Sequence, residues 1–508
     1  SCGMMIDGKP VSPAFTGIPA PFFSPDGSRW GLLAVKPGTT DELFLLIDGK
    51  DAGYVGSLPR FTPDGRRIVS IRRNGPQEGG GYSVLVDGKP TLTVPSLHND
   101  NYVLSSRGDI AVIGIMEGGT KRQLFINGKL APAGDHVWGV TFSPDGKRWA
   151  AQCNDDPLSW VVVDGVKHQH YARVSAIAFT PDSSRCVYVA ESGVKKFVVI
   201  DGEEGAGAAQ IVEPPFFAET GHRIAYVVKE TAQGLGGHRA MIDREPLTVA
   251  QGIRRFTLSR DGSRHAYTAA LDALSTRLII DGEAVGTGFA QGDQVLFSPD
   301  SRHVAAVARP PDGRNQALYL DGHYISSDDL KLTSLLAFTP DARHLLTVAQ
   351  ESAPRGGVGN VQAYQLNGER VAQFSGRGLT WANPVEGRRA WEVQADGSIV
   401  LIGSEPTADR TYGPMKRVTV NPAKTGDLAS WVNEIKSARE QAIAEAEQAK
   451  AKAEADRIAA AEERKQAQAE AAAARAKAKA DAAAARAEAK AEADAIRAKA
   501  KADAKAKR

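Results

Sequence analysis

The chain has 508 residues, a formal net charge of +2 and an aromatic content of 7%. The near-neutral charge excludes a whole-chain electrostatic field that would steer nucleic acid towards it. No apolar stretch reaches the roughly 18–20 residues that a transmembrane helix needs, and three cysteines are too few for a disulfide framework.

The cysteines differ in their surroundings. Cys153 and Cys186 fall in neighbouring repeats but at different offsets along the strand, and we expect both to be small buried hydrophobic residues. Cys2 follows Ser1, and a small residue before a cysteine is how a bacterial lipoprotein cleavage site ends. Cys2 is therefore a candidate lipidation site; the alternative is that Ser1 is only the edge of a fragment.

A turn phrase, Phe-Ser/Thr-Pro-Asp, recurs along the first four-fifths of the chain, usually followed by Gly and a basic residue. Full copies begin at Phe23, Phe61, Phe142, Phe179, Phe297 and Phe338, and weaker copies begin at Leu104, Glu219, Leu258 and Asn383. Their spacing of roughly 37–44 residues is the period of one propeller blade.

A second phrase, an apolar run ending in Asp-Gly or Asn-Gly, lies between these copies. Its acidic or amide residues are Asp7, Asp48, Asp87, Asn127, Asp164, Asp201, Asp281, Asp321 and Asn367. Asp-Gly and Asn-Gly predict tight hairpin turns, because these residues tolerate the positive φ angles that such turns require.

One repeat predicts four short strands. In the second repeat they are Ser57–Phe61, Ile68–Ile71, Tyr82–Val86 and Thr91–Val94, separated by turns and one longer loop. The sequence therefore predicts an all-β fold over residues 1–420, a large single β-propeller of about ten four-stranded blades. The alternatives are a ring of nine blades and a pair of smaller propellers. We expect the ring to close with Met4–Lys9 beside the strands of 381–401.

The aspartates of the turn phrase are predicted to be structural. They are Asp26, Asp64, Asp145, Asp182, Asp300 and Asp341. Turn chemistry explains them, and their spacing lacks the dense oxygen-ligand loop that calcium uses. Basic residues after the turns are expected to pair with turn carboxylates between blades, namely Arg29, Arg67, Arg148, Arg185, Arg223, Arg264, Arg302 and Arg343.

Partner binding is expected on the opposite face of the propeller. There the connections between the second and third strands differ from blade to blade, and variable loops on a rigid scaffold commonly carry binding. The candidate partner-binding residues are Arg72, Arg73, Asp155, Asp156, Lys229, Arg309, Arg314 and Arg355. The alternative is that these loops are only solvated connections.

No catalytic motif is present in the sequence. His168 and His170 lie near Asp155 and Asp156, but nothing completes a metal-ligand set, so ordinary histidines are the better interpretation. The sequence analysis therefore predicts no catalytic residue, no metal site, no cofactor and no enzymatic activity.

The composition changes near residue 421. Residues 421–436 are predicted to be a linker and the docking start of a helix, with Leu428, Trp431, Val432 and Ile435 on one helical face. Residues 437–508 are rich in alanine and charged residues, which predicts one long helix. The helix is either single or an alanine-rich coiled coil through which the chain oligomerises. Its acidic residues largely offset its bases, so no nucleic acid is expected as a partner.

The turn phrase resembles the TolB-type propeller repeat, a WD-like repeat, over the first four-fifths of the chain. The helix is similar in composition to that of TolA-type envelope-spanning proteins. The TolB-type resemblance implies a bacterial periplasmic, cell-envelope or secreted protein that binds other proteins, here a non-enzymatic scaffold or adaptor. Membrane contact is expected only through a lipid anchor or a partner. The alternative function is a periplasmic or secreted propeller enzyme with its site at the central channel.

Overall fold

The structure is a computed structural model in which most of the chain can be described. The described residues are 4–6, 8–10, 15, 17–35, 43–56, 58–98, 102–116, 118–231, 237–270, 276–289, 291–309, 316–325, 331–352, 360–375, 391–394, 396, 398–404 and 415–506. The chain divides into two compact units, Ser1–Ala429 and Ser430–Arg508.

The first unit is a succession of antiparallel sheets, each made of strands consecutive in sequence. A short hairpin, β1 (Met5–Ile6) and β2 (Lys9–Pro10), precedes them. Blade 1 contains β3 (Gly17–Phe23), β4 (Trp30–Val35), β5 (Leu43–Ile47) and β6 (Lys50–Val55). Blade 2 contains β7 (Arg60–Phe61), β8 (Ile68–Arg73), β9 (Tyr82–Val86) and β10 (Lys89–Val94). Blade 3 contains β11 (Ser96–Leu97), β12 (Val103–Leu104), β13 (Ile110–Ile115), β14 (Arg122–Ile126) and β15 (Lys129–Leu130).

The middle blades follow the same order. Blade 4 contains β16 (Val137–Phe142), β17 (Trp149–Asp155), β18 (Leu158–Val163) and β19 (Val166–Lys167). Blade 5 contains β20 (Arg173–Phe179), β21 (Cys186–Ser192), β22 (Lys195–Ile200) and β23 (Glu203–Glu204). Blade 6 contains β24 (Gln210–Phe217), β25 (Ile224–Lys229), β26 (His238–Ile242) and β27 (Glu245–Ala250). Blade 7 contains β28 (Gly252–Leu258), β29 (His265–Ala270), β30 (Thr276–Ile280) and β31 (Glu283–Phe289).

The last three blades complete the succession. Blade 8 contains β32 (Gln291–Phe297), β33 (Val304–Arg309), β34 (Ala317–Leu320) and β35 (His323–Ile325). Blade 9 contains β36 (Lys331–Phe338), β37 (Leu345–Ser352), β38 (Asn360–Leu366) and β39 (Glu369–Ser375). Blade 10 contains β40 (Trp391–Val393), β41 (Ile399–Ser404) and β42 (Met415–Val420).

The prediction of an all-β propeller with about ten blades and a terminal helix is confirmed. Within the described residues eight sheets have four strands, and blade 10 has three. Blade 3 has five because β11 and β12 both pair with β13, which makes them two halves of one interrupted strand. The four strands predicted for the second repeat correspond to β7–β10.

The core lies between blades rather than within them. One apolar cluster joins Val161 and Val163 of blade 4 to Val174, Cys186 and Tyr188 of blade 5, and similar clusters join most other successive blades. A sheet has two faces, so a blade buries both only by packing against a neighbour on each side. The free cysteines Cys153 and Cys186 are buried in two of these clusters, as expected.

The expected closing pair is not found at the described positions. Strand β1 pairs with β2, and Met4 packs on blade 1 beside Phe15 and Leu32. Strand β41 is paired on both sides, because Leu401 pairs with Trp391 and with Val418, so at the described positions Met4–Lys9 does not lie beside β41. Residues 381–390 of the predicted partner segment lie outside the described residues.

The C-terminal helix α1 (Leu428–Ala506) has 79 residues. At 1.5 Å per residue it is roughly 120 Å long. Its first residue belongs to the propeller unit: Leu428 is 1% exposed, and its backbone N–H donates to the carbonyl of Arg343 at 2.6 Å. Just before it, the carbonyl of Gly426 accepts from Asn367 Nδ2 at 2.7 Å. Within the described residues no helix is both long and apolar enough to span a membrane.

Ending the chain after residue 437 is expected to leave a folded propeller. Among the described residues, the clusters between blades contain no residue beyond Val420, and alanine-rich sequence forms helix largely through its own propensity. Circular dichroism should show loss of most of the helical signal with the strand signal unchanged, and thermal unfolding should remain cooperative. A truncated chain that fails to fold would contradict the separation into two units.

Candidate functional site

The Ser/Thr-Pro-Asp turns are held by a buried hydroxyl. In blade 1 the Ser24 hydroxyl donates to Asp26 Oδ1 at 2.6 Å and accepts from the backbone N–H of Arg29 at 2.9 Å. Asp26 Oδ1 also accepts from the backbone N–H of Ser28 at 3.1 Å. These hydrogen bonds lower the pKa of Asp26 from 3.8 to about 2, and the bond from the Ser24 hydroxyl has the largest effect.

The same arrangement recurs along the unit. A serine or threonine hydroxyl lies 2.5–2.8 Å from the carboxylate two residues later in the pairs Ser24–Asp26, Thr62–Asp64, Ser143–Asp145, Thr180–Asp182, Ser259–Asp261, Ser298–Asp300 and Thr339–Asp341. All seven hydroxyl residues are at most 4% exposed. The six aspartates predicted to be structural thus form part of these turns, together with Asp261.

The Asp-Gly turns bind the start of the second strand in the same blade. Asp48 has φ 50°, and its Oδ1 accepts from the backbone N–H of Trp30 at 3.0 Å. The equivalent bonds are made by Asp87, Asn127, Asp164, Asp201, Asp243, Asp281, Asp321 and Asn367. Glycine follows at eight of these nine turns, and Arg244 follows Asp243. The left-handed conformation explains why every one of these positions is aspartate or asparagine.

Arginine joins the two turns and reaches the next blade. Arg29 Nε donates to Asp48 Oδ2 at 2.9 Å, while its Nη1 donates to the carbonyl of Arg66 in blade 2 at 2.5 Å. Arg148 and Arg264 repeat both contacts in blades 4 and 7. We call the surface formed by these turns the turn face. Its polar groups bind mainly one another.

Two of the predicted pairing arginines are wrong by one position. The residue five places after the turn hydroxyl is Arg29 in blade 1, but it is His303 in blade 8 and His344 in blade 9. His303 Nδ1 lies 2.8 Å from Asp321 Oδ2, whereas the side chain of Arg302 is 82% exposed and lies 4.0 Å from Asp300 of its own turn. The prediction named an arginine in both of these repeats and so passed over the histidines, because sequence alone does not show on which side of the strand each side chain lies.

The predicted partner-binding residues lie at the other end of the blades, which we call the loop face. Arg72 and Arg73 end β8, Asp155 ends β17, Asp156 follows it, and Lys229 ends β25. Arg73, Asp155 and Asp156 are exposed, Lys229 is half-buried, and Arg72 pairs with Glu78 at 3.5 Å. Arg309 ends β33, with a side chain outside the described part, and Arg314, Arg355 and Cys2 lie outside the described residues.

An open pocket of about 430 Å³ lies beside the outer strands of blade 4. Trp160 lines it and is 7% exposed, and Asp155, Leu158, Lys167 and His170 lie around it. The preceding blade contributes the segment 132–136. The pocket therefore brings one predicted residue, Asp155, together with side chains that the sequence analysis did not select.

Nitrogen-bearing side chains surround the Trp160 ring. Lys167 Nζ lies 4.3 Å from the ring centroid, the His170 ring 4.8 Å and the His136 ring 6.1 Å. His136 Nε2 lies 3.8 Å from Asp155 Oδ2. The alternation of Leu158, Trp160 and Val162 on β18 was a signal for one shared face, but His136 comes from the preceding link and no local pattern identifies it.

The two histidines considered from the sequence are separated in space. His170 lines the pocket, whereas His168 Nδ1 lies 3.2 Å from the hydroxyl of Tyr188 in blade 5, where burial lowers the pKa of His168. In the part of the chain that can be described, no three histidine, cysteine or acidic side chains are placed to hold a metal ion.

Comparisons with known proteins give structural neighbours only. No family model and no curated protein sequence matches the chain. A eukaryotic initiation factor is 13% identical, with a TM-score of 0.33, over 72% of this chain and 96% of that one. The dihydro-heme d1 dehydrogenase NirN is 12% identical, with a TM-score of 0.26, over 66% and 71%. The β-propeller domain of the Trilobed protease from Pyrococcus furiosus is 13% identical, with a TM-score of 0.23, over 66% and 98%.

These neighbours correct one prediction. The expectation that the chain is not an enzyme is contradicted, because NirN is named as a dehydrogenase and the Trilobed protein as a protease. Their identities and TM-scores are too low for any activity to be transferred to this chain. The neighbours include β-propeller proteins, and the finer TolB-type resemblance remains a prediction.

Replacing Thr62 by valine is expected to destabilise the propeller. The change keeps the side-chain shape but removes the bond to Asp64 and the acceptor for the buried N–H of Arg67. The free energy of unfolding in urea should fall by about 1–3 kcal/mol. Ser28→Ala also removes a hydroxyl bonded to a turn aspartate, but an exposed one, and should cost less than about 0.5 kcal/mol. Equal effects would contradict a special role for the buried hydroxyl.

Blade 8 is expected to lose stability at alkaline pH. The bond to Asp321 raises the pKa of His303 above its ordinary 6.5. A raised pKa means that the stabilisation is complete below pH 6.5 and is lost as pH rises through the folded-state value.

The measurement is urea unfolding at about pH 6 and about pH 8.5, with His303→Arg as the matched variant. The variant introduces the arginine that blades 1, 4 and 7 have at this position, and arginine stays charged over this pH range. The free energy of unfolding that the variant loses between the two pH values should therefore be smaller than the loss in the unchanged chain, by up to about 1 kcal/mol. An identical loss in both proteins would assign the pH dependence to other groups.

Proposed function

We propose that the protein is a protein-binding scaffold or adaptor of a bacterial cell envelope, built on a TolB-type propeller. The observation that carries the proposal is the difference between the two ends of the blades. On the turn face, Ser24, Asp26, Arg29 and Asp48 and their equivalents bind one another. On the loop face, Arg73, Asp155 and Asp156 are exposed, and Asp155 lines the open pocket of blade 4.

A scaffold needs a rigid frame and a surface that is not repeated. The turn bonds and the clusters between blades supply rigidity, since most successive blades are joined by apolar packing and since blades 1, 4 and 7 each donate an arginine hydrogen bond to the next blade. A partner present in one copy needs a surface with one orientation, and a row of nearly identical turns offers none. The loops vary more from blade to blade than the turns do, which favours the loop face.

The envelope location rests on the TolB-type resemblance of the turn phrase. Lipidation at Cys2 would supply a membrane anchor, and the long helix α1 would set a distance or join subunits. Its roughly 120 Å length suits a spacer. Its large side chains are few, with Ile458 and Ile496 both exposed, so any pairing would be through alanine.

Charge reversal on the loop face is expected to reduce partner binding. Arg73→Glu and Lys229→Glu each change one side chain at the end of a second strand, in blades 2 and 6. Co-purification of native partners from a solubilised envelope fraction, quantified by mass spectrometry, should fall at least fivefold for one or both variants.

The control is Arg302→Glu, which reverses an arginine that is 82% exposed on the turn face. It should leave co-purification unchanged. Loss in the control with retention in both loop-face variants would place the binding surface on the turn face. Retention in all three, with thermal unfolding unchanged, would assign binding to the helix.

A further inference from the structure

We infer that the pocket of blade 4 is a binding site for a short acidic peptide segment in which a carboxylate stands next to an apolar side chain. The inference rests on the proposed function as a protein-binding scaffold and names the chemistry of its partner. It is carried by the joint placement of Trp160, Leu158 and Lys167 around one cavity.

The pocket lies where the fourth strand of blade 3 ends early. Strand β15 has two residues, Lys129–Leu130, as do β19 and β23, whereas β6 and β10 have six and β31 has seven. After Leu130 the chain continues through residues 131–135 towards blade 4. Residues of this segment and of β18 line the two sides of the pocket. Its volume of about 430 Å³ falls within the range of small-ligand sites, roughly 300–1,000 Å³.

The apolar part of the pocket suits one aliphatic or aromatic side chain. Leu158 and Trp160 alternate along β18 and line the cavity together, with Pro132 and Ala133 on the opposite wall. Leu158 is 42% exposed although it is a large apolar residue. A ligand side chain seated here would remove apolar surface from water, which favours binding by roughly 25 cal/mol per Å².

The charged part favours an anion. Lys167 Nζ lies over the Trp160 ring at 4.3 Å, and within the described residues it makes no ion pair. The two carboxylates that line the pocket have other neighbours: Asp135 pairs with Lys121 at 3.1 Å, and Asp155 lies 3.8 Å from His136. An ammonium held against an aromatic ring without a carboxylate partner is a site for a carboxylate, because charge-assisted hydrogen bonds are stronger than neutral ones.

Polar donors on the same side extend the site. His170 lies at the edge of Trp160, 4.8 Å between ring centroids, and its side chain is exposed. Asp135 and Asp155 are the lining carboxylates. Because Asp135 is paired with Lys121, Asp155 is the one that would oppose an anion, and its side chain is 65% exposed. Removing its charge should therefore improve acidic-peptide binding, whereas removing the charge of Lys167 should weaken it.

The probe is a fluorescein-labelled hexapeptide of alternating glutamate and leucine, titrated with the full chain and followed by fluorescence anisotropy. Two matched peptides replace glutamate by lysine or leucine by serine. The glutamate–leucine peptide should bind saturably, and both replacements should weaken binding about tenfold or more, the order expected for losing one charge-assisted bond or one buried apolar side chain. No saturable binding, or equal binding of the lysine peptide, would overturn the inference.

Variants of the chain locate the site. Lys167→Glu and Leu158→Ser, both at exposed positions, should each weaken binding about tenfold, and Asp155→Asn should strengthen it. Lys89→Glu is the control, because Lys89 is an exposed lysine on the fourth strand of blade 2. Unchanged affinity in Lys167→Glu, or an equal loss in Lys89→Glu, would refute the pocket as the site. The peptide titration uses no native partner, so its failure is distinguishable from failure of the co-purification experiment.

Discussion

The bond between a buried hydroxyl and a turn carboxylate is the interaction on which the rest of this propeller depends. The Ser24 hydroxyl fixes Asp26 and the backbone of Arg29 together, which sets the direction in which the Arg29 side chain leaves the turn. Arg29 then reaches Asp48 in its own blade and the backbone of the next. A local turn thus becomes a link between blades, and the link recurs at a fixed spacing.

This arrangement also explains where the protein has surface left for binding. A carboxylate that accepts three bonds and an arginine that donates to two blades have little capacity for a ligand. The loop face is free of this constraint, because the second and third strands can be joined by any loop that does not disturb the turns. At the outer edge, the segment that follows β15 lines the cavity over Trp160.

In blades 8 and 9 a histidine occupies the position of the arginine that joins the two turns in blade 1. Blade 8 keeps an ion pair through His303 and Asp321. Blade 9 has His344, 4% exposed, with Asn367 in the aspartate position. Asn367 uses its amide to bind the carbonyls of Arg343 and Gly426, so the uncharged turn residue receives the segment that leads into α1. The chain therefore leaves blade 9 through the same kind of turn, but the side-chain amide of Asn367 donates hydrogen bonds where an aspartate carboxylate could only accept them.

The sequence by itself determined the blade architecture, because each turn is encoded locally: Pro and Gly set the backbone angles, and Asp-Gly or Asn-Gly permits the positive φ of a tight hairpin. It equally determined the helix, since a run without glycine or proline and rich in alanine needs no tertiary contact to favour that state.

Only the tertiary structure decided which side chains and which strands contact one another. Whether Arg302 or His303 reaches Asp321, and whether β42 or Met4–Ile6 lies beside β41, depends on side-chain direction and on packing between distant segments. The site over Trp160 was hidden for the same reason. His136, Asp155 and Lys167 come from three separate segments, and the strand pairing of blade 4 brings them to one cavity with the segment 132–136.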